Sequence, residues 1–144
     1  MAKVLIIYHS QTGNTEAMAE AVYEGANSTG ASVTLRKAAD ATAGDLLGCN
    51  AVGFGSPVCF GYMAGGLKDY FDRVFPAVRG KVNNKPYVAF STAAQGGKQA
   101  LDSIDAICSS FKLKRAFEGV VAMGKPSSDV LEQCKELGKK LARL

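Results

Sequence analysis

Three short stretches concentrate the residue types able to hold a ligand. Ser10-Gln11-Thr12-Gly13-Asn14-Thr15 offers three hydroxyls, an asparagine amide and a glycine that lets the backbone approach a ligand. If a helix begins there, its free N–H groups favour an anion, and a phosphate can bind with no lysine or arginine. The same alphabet also builds an ordinary N-cap and turn, so this stretch alone fits either use. Ser56-Pro57-Val58-Cys59-Phe60-Gly61-Tyr62 adds small, aromatic and glycine residues, and Ser91-Thr92-Ala93-Ala94-Gln95-Gly96-Gly97 is small and polar.

Other chemistries are excluded by what stands at the required positions. A Walker phosphate loop needs GxxxxGK[ST]; Gly96-Gly97-Lys98 resembles a fragment of it, but Gln99 follows. A receiver domain would use Lys125-Pro126, yet the acidic residues it needs are replaced by Tyr8-His9 and Gly55-Ser56. Lys125-Pro126 therefore reads as a helix-entry turn. Cys49, Cys59, Cys108 and Cys134 make no CxxC pair, and a single histidine completes no Cys/His cluster. They read as reduced thiols of a cytoplasmic protein, mostly small buried hydrophobes.

The elements that must position these stretches alternate between two periods. Lys3–Tyr8 is a buried strand, and Met18, Ala21, Val22, Gly25 and Ala26 fall at helical spacing after it. Ser32–Arg36 alternates weakly as a strand, Ala41–Leu47 suits a short helix, and Ala51–Gly55 is a third strand that Ser56-Pro57 should end. Leu67, Tyr70, Phe71, Val74 and Phe75 form an amphipathic stripe closed by Pro76 and Gly80. Pro86–Phe90 is a fourth strand. Leu101, Ile104, Cys108 and Phe111 mark another helix, and Ala116–Met123 a fifth strand. Asp129 with Glu132 reads as a capping box opening a last helix, with Val130, Cys134, Leu137, Leu141 and Leu144 on one face.

The pattern predicts an α/β fold, one domain over 1–144 with a doubly wound five-stranded parallel sheet. In such sheets ligands bind beyond the carboxyl ends of the strands, and all three stretches fall there. The 144 residues are 47% hydrophobic and 21% charged, with no run long enough to span a membrane and none suited to a signal-peptide core. Charge is uneven: residues 1–72 carry 4 basic and 7 acidic side chains, residues 73–144 carry 13 and 6. No aromatics interleave with the basic residues, so a solvated basic edge is expected and no nucleic-acid site.

Tyr8–Thr15 after a first strand resembles the FMN-phosphate loop (S/T)-x-T-G-x-T of flavodoxin-like proteins. Gly55–Gly65 and Ser91–Gly97 are similar to the second and third FMN loops of the branch containing NAD(P)H:quinone reductases and FMN reductases. The resemblance implies FMN as cofactor. Its phosphate would lie on Ser10, Gln11, Thr12, Gly13, Asn14 and Thr15. Pro57, Val58, Cys59, Phe60, Gly61 and Tyr62 would line the ring, and Ser91, Thr92, Gln95 and Gly97 would close its other side. It also implies that the Gly61 peptide faces flavin N5, where positive φ is needed. The chemistry would belong to the flavin, in keeping with the lack of a catalytic triad or carboxylate pair. The function implied is an electron carrier between redox partner proteins; the alternative is a small reductase passing hydride from NAD(P)H to a quinone or free flavin. A monomer or homodimer is expected.

The chain departs from both subgroups. It has little room for the insertion of the longer quinone reductases, and Val58-Cys59 stand where they often carry Thr-Arg. Its third loop lacks the aromatic that carriers stack on flavin, and its net charge is +4 where carriers are typically acidic. Cys59 reads as a small loop residue in preference to a reactive thiol, and His9 as a solvated strand-end residue. Phe60 and Tyr62 read as ring contacts, while Tyr70, Phe71 and Phe75 belong to the core by their spacing.

Overall fold

A computed structural model describes residues 2–144. In chain order the elements are β1 (Lys3–Tyr8), α1 (Asn14–Asn27), β2 (Ser32–Lys37), α2 (Ala43–Gly48), β3 (Ala51–Cys59), β4 (Tyr62–Met63), α3 (Gly65–Val78), β5 (Pro86–Ala93), α4 (Lys98–Ser110), β6 (Lys114–Arg115), β7 (Val120–Met123) and α5 (Ser128–Ala142). The near-continuous apolar strands bury both faces because successive side chains alternate. Val4, Ile6 and Tyr8 join Val88 and Phe90 in a core under α1 and α5. Leu5 and Ile7 join Val52 and Phe54 in a second core under α2, α3 and α4, where Tyr70 and Phe71 are buried and Phe75 packs at the margin.

The main sheet runs β2-β1-β3-β5 and ends on β6 and β7, all parallel. This is the expected doubly wound order with five strand positions. Two segments share the last one: Lys114 and Arg115 pair with Pro86 and Tyr87, and Val120–Met123 pair with Phe90–Ala93. The predicted strand Ala116–Met123 is thus corrected. Between the paired segments the edge uses residues 116–119 where β5 uses only 88 and 89, so the chain must leave the ladder. It returns at Gly119, where a Cβ would stand 2.7 Å from the Ala89 carbonyl oxygen.

Three further boundaries differ. β3 continues through Ser56-Pro57 to Cys59. The Gly55 carbonyl accepts from the His9 N–H (3.0 Å), so residues 55 and 57 direct their main-chain groups toward β1. β1 has already ended there, and proline's missing N–H costs no ladder bond. α3, by contrast, ends at Val78, between Pro76 and Gly80 as expected, and tolerates Pro76 because only its last turn loses a donor. The cap of α5 is Ser127, whose Oγ accepts from the Val130 N–H (3.2 Å), and not the Asp129–Glu132 pair. α5 stops at Ala142, which leaves Leu144 exposed, off the apolar face expected for it. Among the described residues no helix is long and apolar enough to cross a membrane.

Candidate cofactor site

The five α-helices begin in two different ways. α2 opens with a capping box, Thr42 and Asp45 bonding each other's N–H groups, and α5 opens on Ser127. α1, α3 and α4 follow the three candidate loops, and their N-caps are Gly13, Ala64 and Gly97, none with a side-chain cap. First-turn N–H groups need partners. Where no side chain supplies them, the helix end is open to an anionic or polar ligand. All three open ends lie at the carboxyl edge of the sheet.

The first loop is shaped by Gly13, at φ 93, with nothing within 4 Å of where a Cβ would stand. Its N–H donates to Ser10 Oγ (3.1 Å), which folds the loop over the start of α1. Gln11, Thr12 and Gly13 are exposed and Asn14 is half-buried. Thr15 is buried, and its Oγ1 lies 2.8 Å from Thr92 Oγ1. That bond joins the first loop to the third.

The second loop is a hairpin, which a strand ending at Gly55 did not anticipate. Cys59 pairs with Tyr62 and Val58 with Met63, antiparallel. The two residues between them both have positive φ, Phe60 at 53° and Gly61 at 74°, as a tight primed turn requires. Ser56 fixes the base: its Oγ accepts from the Ala64 N–H (2.8 Å) and donates to the Pro57 carbonyl (2.7 Å). Ser103 of α4 accepts from the Met63 N–H (2.9 Å). Phe60 projects fully into solvent at the tip, and Tyr62 is 39% exposed. Pro57, Val58 and Cys59 are half-buried, with Cys59 Sγ 3.8 Å from Gln11 Oε1.

The third loop closes on itself. Ser91 Oγ donates to the Gly97 carbonyl (2.8 Å), and the Gly97 N–H donates to Gln99 Oε1 (3.1 Å). Gly97 sits at φ 106, and a Cβ there would stand 2.2 Å from Val121 Cγ1. Gln95 and Gly96 are exposed.

All sixteen residues expected at the site therefore lie at one edge, in two roles. Ser10, Gln11, Thr12, Gly13, Asn14, Pro57, Val58, Cys59, Phe60, Gly61, Tyr62 and Gln95 are open to a ligand at least in part. Thr15, Ser91, Thr92 and Gly97 are buried: Thr15 and Thr92 join the first loop to the third, and Ser91 closes the third loop onto Gly97. Ser56 and Ser103 were missed as braces. Ser56 lies directly before a proline, a strand-ending signal, and Ser103 lies 40 residues from the N–H it accepts from, with no local signal.

His9 is half-buried, with its ring against Gly66 near the start of α3: a Cβ on Gly66 would stand 2.3 Å from His9 Nδ1. A cavity of about 330 Å³ beside the first loop is lined by residues including Tyr8, His9, Gln11, Glu16 and Lys37. Within it Tyr8 donates its phenol to Glu16 Oε2 (2.6 Å). Burial, then that carboxylate, push Tyr8 up to about 12, so the phenol remains a donor. A larger hollow of about 460 Å³ between the 118–120 segment and α5 is lined by Glu118, Asp129, Glu132 and Glu136. Lys140 also lines it, and none of the three loops reaches it.

The donor set fits FMN: an uncapped helix end, hydroxyls and an amide for the phosphate, and a glycine-tipped hairpin facing a small-residue loop for the ring. Fold and site together define an α/β flavin-type redox domain. The comparisons with known proteins agree. A family model described as Flavodoxin matches residues 6–138. The chain is 35% identical to a flavodoxin of Aquifex aeolicus, over 99% of this chain and 86% of that protein. It is 36% identical to an NAD(P)H dehydrogenase (quinone) of Cupriavidus metallidurans, over 69% of this chain and 61% of that protein. A solved flavodoxin from the domain Archaea superposes with a TM-score of 0.87 at 25% identity, covering 98% of this chain and 96% of that one. The chain belongs to the flavodoxin family, and as such it is an FMN-binding electron-transfer protein.

Proposed function

We propose that this protein carries electrons between soluble redox partners, with FMN held by the three carboxyl-edge loops. The observation that carries the reading is the division of helix caps: α1, α3 and α4 are left open at the edge where the loops converge, while α2 and α5 are closed by their own side chains. Bound FMN supplies single-electron or hydride chemistry at its ring. Ser10, Thr12, Asn14 and the first N–H groups of α1 bind the phosphate, and Gln11 adds its carboxamide. The Thr15–Thr92 bond holds that loop against the third. The Ser56–Tyr62 hairpin and the Gln95–Gly97 segment flank the ring, and Gly61 leaves its peptides free to turn. Phe60 at the tip offers an apolar contact to ring or partner. Free Cys49, Cys108 and Cys134 are buried and Cys59 is half-buried, which suits a reducing cytoplasm.

A second reading, reduction of a quinone or flavin by NAD(P)H, is favoured by the quinone-dehydrogenase relative and by a third loop without an aromatic residue. Anaerobic addition of NADPH to the FMN-loaded protein separates the two. A carrier keeps its yellow colour for many minutes and is reduced only by light or a partner reductase. Prompt bleaching to completion establishes the reductase.

A further inference from the structure

The amino ends of the strands carry a different chemistry. The loop 79–85, before β5, meets the turn 111–113, before β6. The Asn84 N–H donates to the Lys112 carbonyl (2.7 Å) and the Lys114 N–H to the Lys85 carbonyl (2.9 Å). Val82 between them is buried, so the two segments form one anchored surface. Arg79, Lys81, Lys85, Lys112, Lys114 and Arg115 stand on these segments, with no carboxylate in 79–86 or 111–115.

Arg115 is bonded to Asp105 (3.2 Å), and the Lys85 ammonium donates to the Leu46 carbonyl (2.6 Å). Arg79, Lys81, Lys112 and Lys114 are exposed and have no ion-pair partner among the described residues. Lys112 also sits at φ 62, just beyond the end of α4, a place where glycine is the unstrained choice. The chain thus keeps a cation at this surface against a backbone preference.

We infer that this surface docks the protein on an anionic phospholipid bilayer and turns the cofactor edge outward. The nine residues of β3 put about 25–30 Å between the two edges of the sheet. The basic surface is therefore remote from the three loops where electrons enter and leave, and a contact made there leaves those loops free. A charged leaflet needs only a field of cations, without pockets or matched shape, and four unpaired cations on one edge supply it. Leu47, 40% exposed, adds an apolar side chain where its own carbonyl meets the Lys85 ammonium (3.3 Å). Among the described residues no aromatic side chain is exposed at this edge for bases to stack on, which disfavours single-stranded nucleic acid.

The test is flotation of the FMN-loaded protein with vesicles of phosphatidylcholine, with and without phosphatidylglycerol. Each cation near an anionic leaflet raises partitioning about fivefold. The protein should float with the anionic vesicles only and be released by high salt. Lys81→Glu should weaken partitioning roughly twentyfold, two charge steps of that size. Lys125→Glu, the same charge change near the opposite edge, should leave it close to wild type. Lys112→Gly should weaken it about fivefold without lowering the unfolding midpoint, which separates lost docking from misfolding. Photoreduction of the flavin by a soluble donor should run equally fast on and off vesicles. Four results would overturn the inference: no preference for anionic vesicles, equal losses from Lys81→Glu and Lys125→Glu, tighter binding per charge to poly-U RNA or polyglutamate, or a flavin shielded on the vesicle.

Discussion

The two edges of the sheet each hold a non-glycine residue in the left-handed region at an exposed turn: Phe60 at the carboxyl edge, Lys112 at the amino edge. Both positions would be relaxed by glycine. The surroundings differ. Around Phe60 the loops are nearly uncharged, built from hydroxyls, amides, glycines and open helix ends, and they are cross-braced by buried hydroxyl bonds. Around Lys112 the surface carries six cations, four of them without an ion-pair partner among the described residues. On the proposed reading, the contrast teaches that an anionic cofactor can be held by directed N–H and O–H groups of loops that carry no charge, while four unpaired cations gather at the far end. Net charge says little about such a molecule; the placement of charge says more.

The sharpest way to break the comparison is at the first loop. Ser10→Ala with Thr12→Ala removes two hydroxyls from an anion site, each worth about 1.5–3 kcal/mol. FMN affinity should fall by on the order of a hundredfold or more while riboflavin affinity changes little, as measured by fluorescence titration of the apoprotein. Charge removal at Lys81 and Lys114 should leave both affinities as they are. A smaller effect comes from Gly97→Ala, which forces a side chain against Val121 at positive φ. It should cost about 1–3 kcal/mol in urea unfolding and weaken FMN binding in parallel.

Smaller still is the pair of left-handed turns. Phe60→Gly and Lys112→Gly should each raise stability, by about 0.5–1 kcal/mol once glycine's extra unfolded-state entropy is set against the relieved strain. Only Phe60→Gly should slow electron transfer to a partner, as stopped-flow measurements would show. The smallest effect is shared by both edges. Tyr8 donates to Glu16 at one end and Tyr87 to Asp105 at the other, and burial followed by these carboxylates raises both phenols. A raised phenol stabilises the fold fully below its unfolded value and loses that contribution as pH climbs through the folded one. For Tyr8 the window runs from 10.0 to about 12. Alkaline unfolding curves of Tyr8→Phe and Tyr87→Phe should each fall less steeply there than wild type.

Much of this was legible in the sequence, for identifiable reasons. Val4 to Ile7 and Val88 to Phe90 are apolar without interruption, which only a strand covered on both faces tolerates. The stripe from Leu67 to Phe75 has no competing period, and the hydroxyl-rich turn after Tyr8 falls where such sheets bind ligands. The failures lie where local rules met tertiary context. Pro57 reads as a strand end only until β1 is known to stop beside it. Phe60-Gly61 hides a primed turn because its first residue is neither asparagine, aspartate nor glycine. The edge strand splits at 116–119 because its neighbour offers two residues where the chain spends four, and no period in the chain reports that. Thr15, Ser91 and Thr92 also bond within and between the loops, and only packing shows that a hydroxyl of such a stretch has a neighbour to brace.

The central claim is that an uncharged loop holds the phosphate. Titration of the apoprotein with FMN and with riboflavin, across a range of ionic strength, tests it most directly. The account predicts FMN tighter by roughly a hundredfold or more, with most of that preference kept at high salt, because directed bonds to a desolvated anion are screened little. Equal affinity for the two flavins, or a preference that collapses as salt rises, would contradict it.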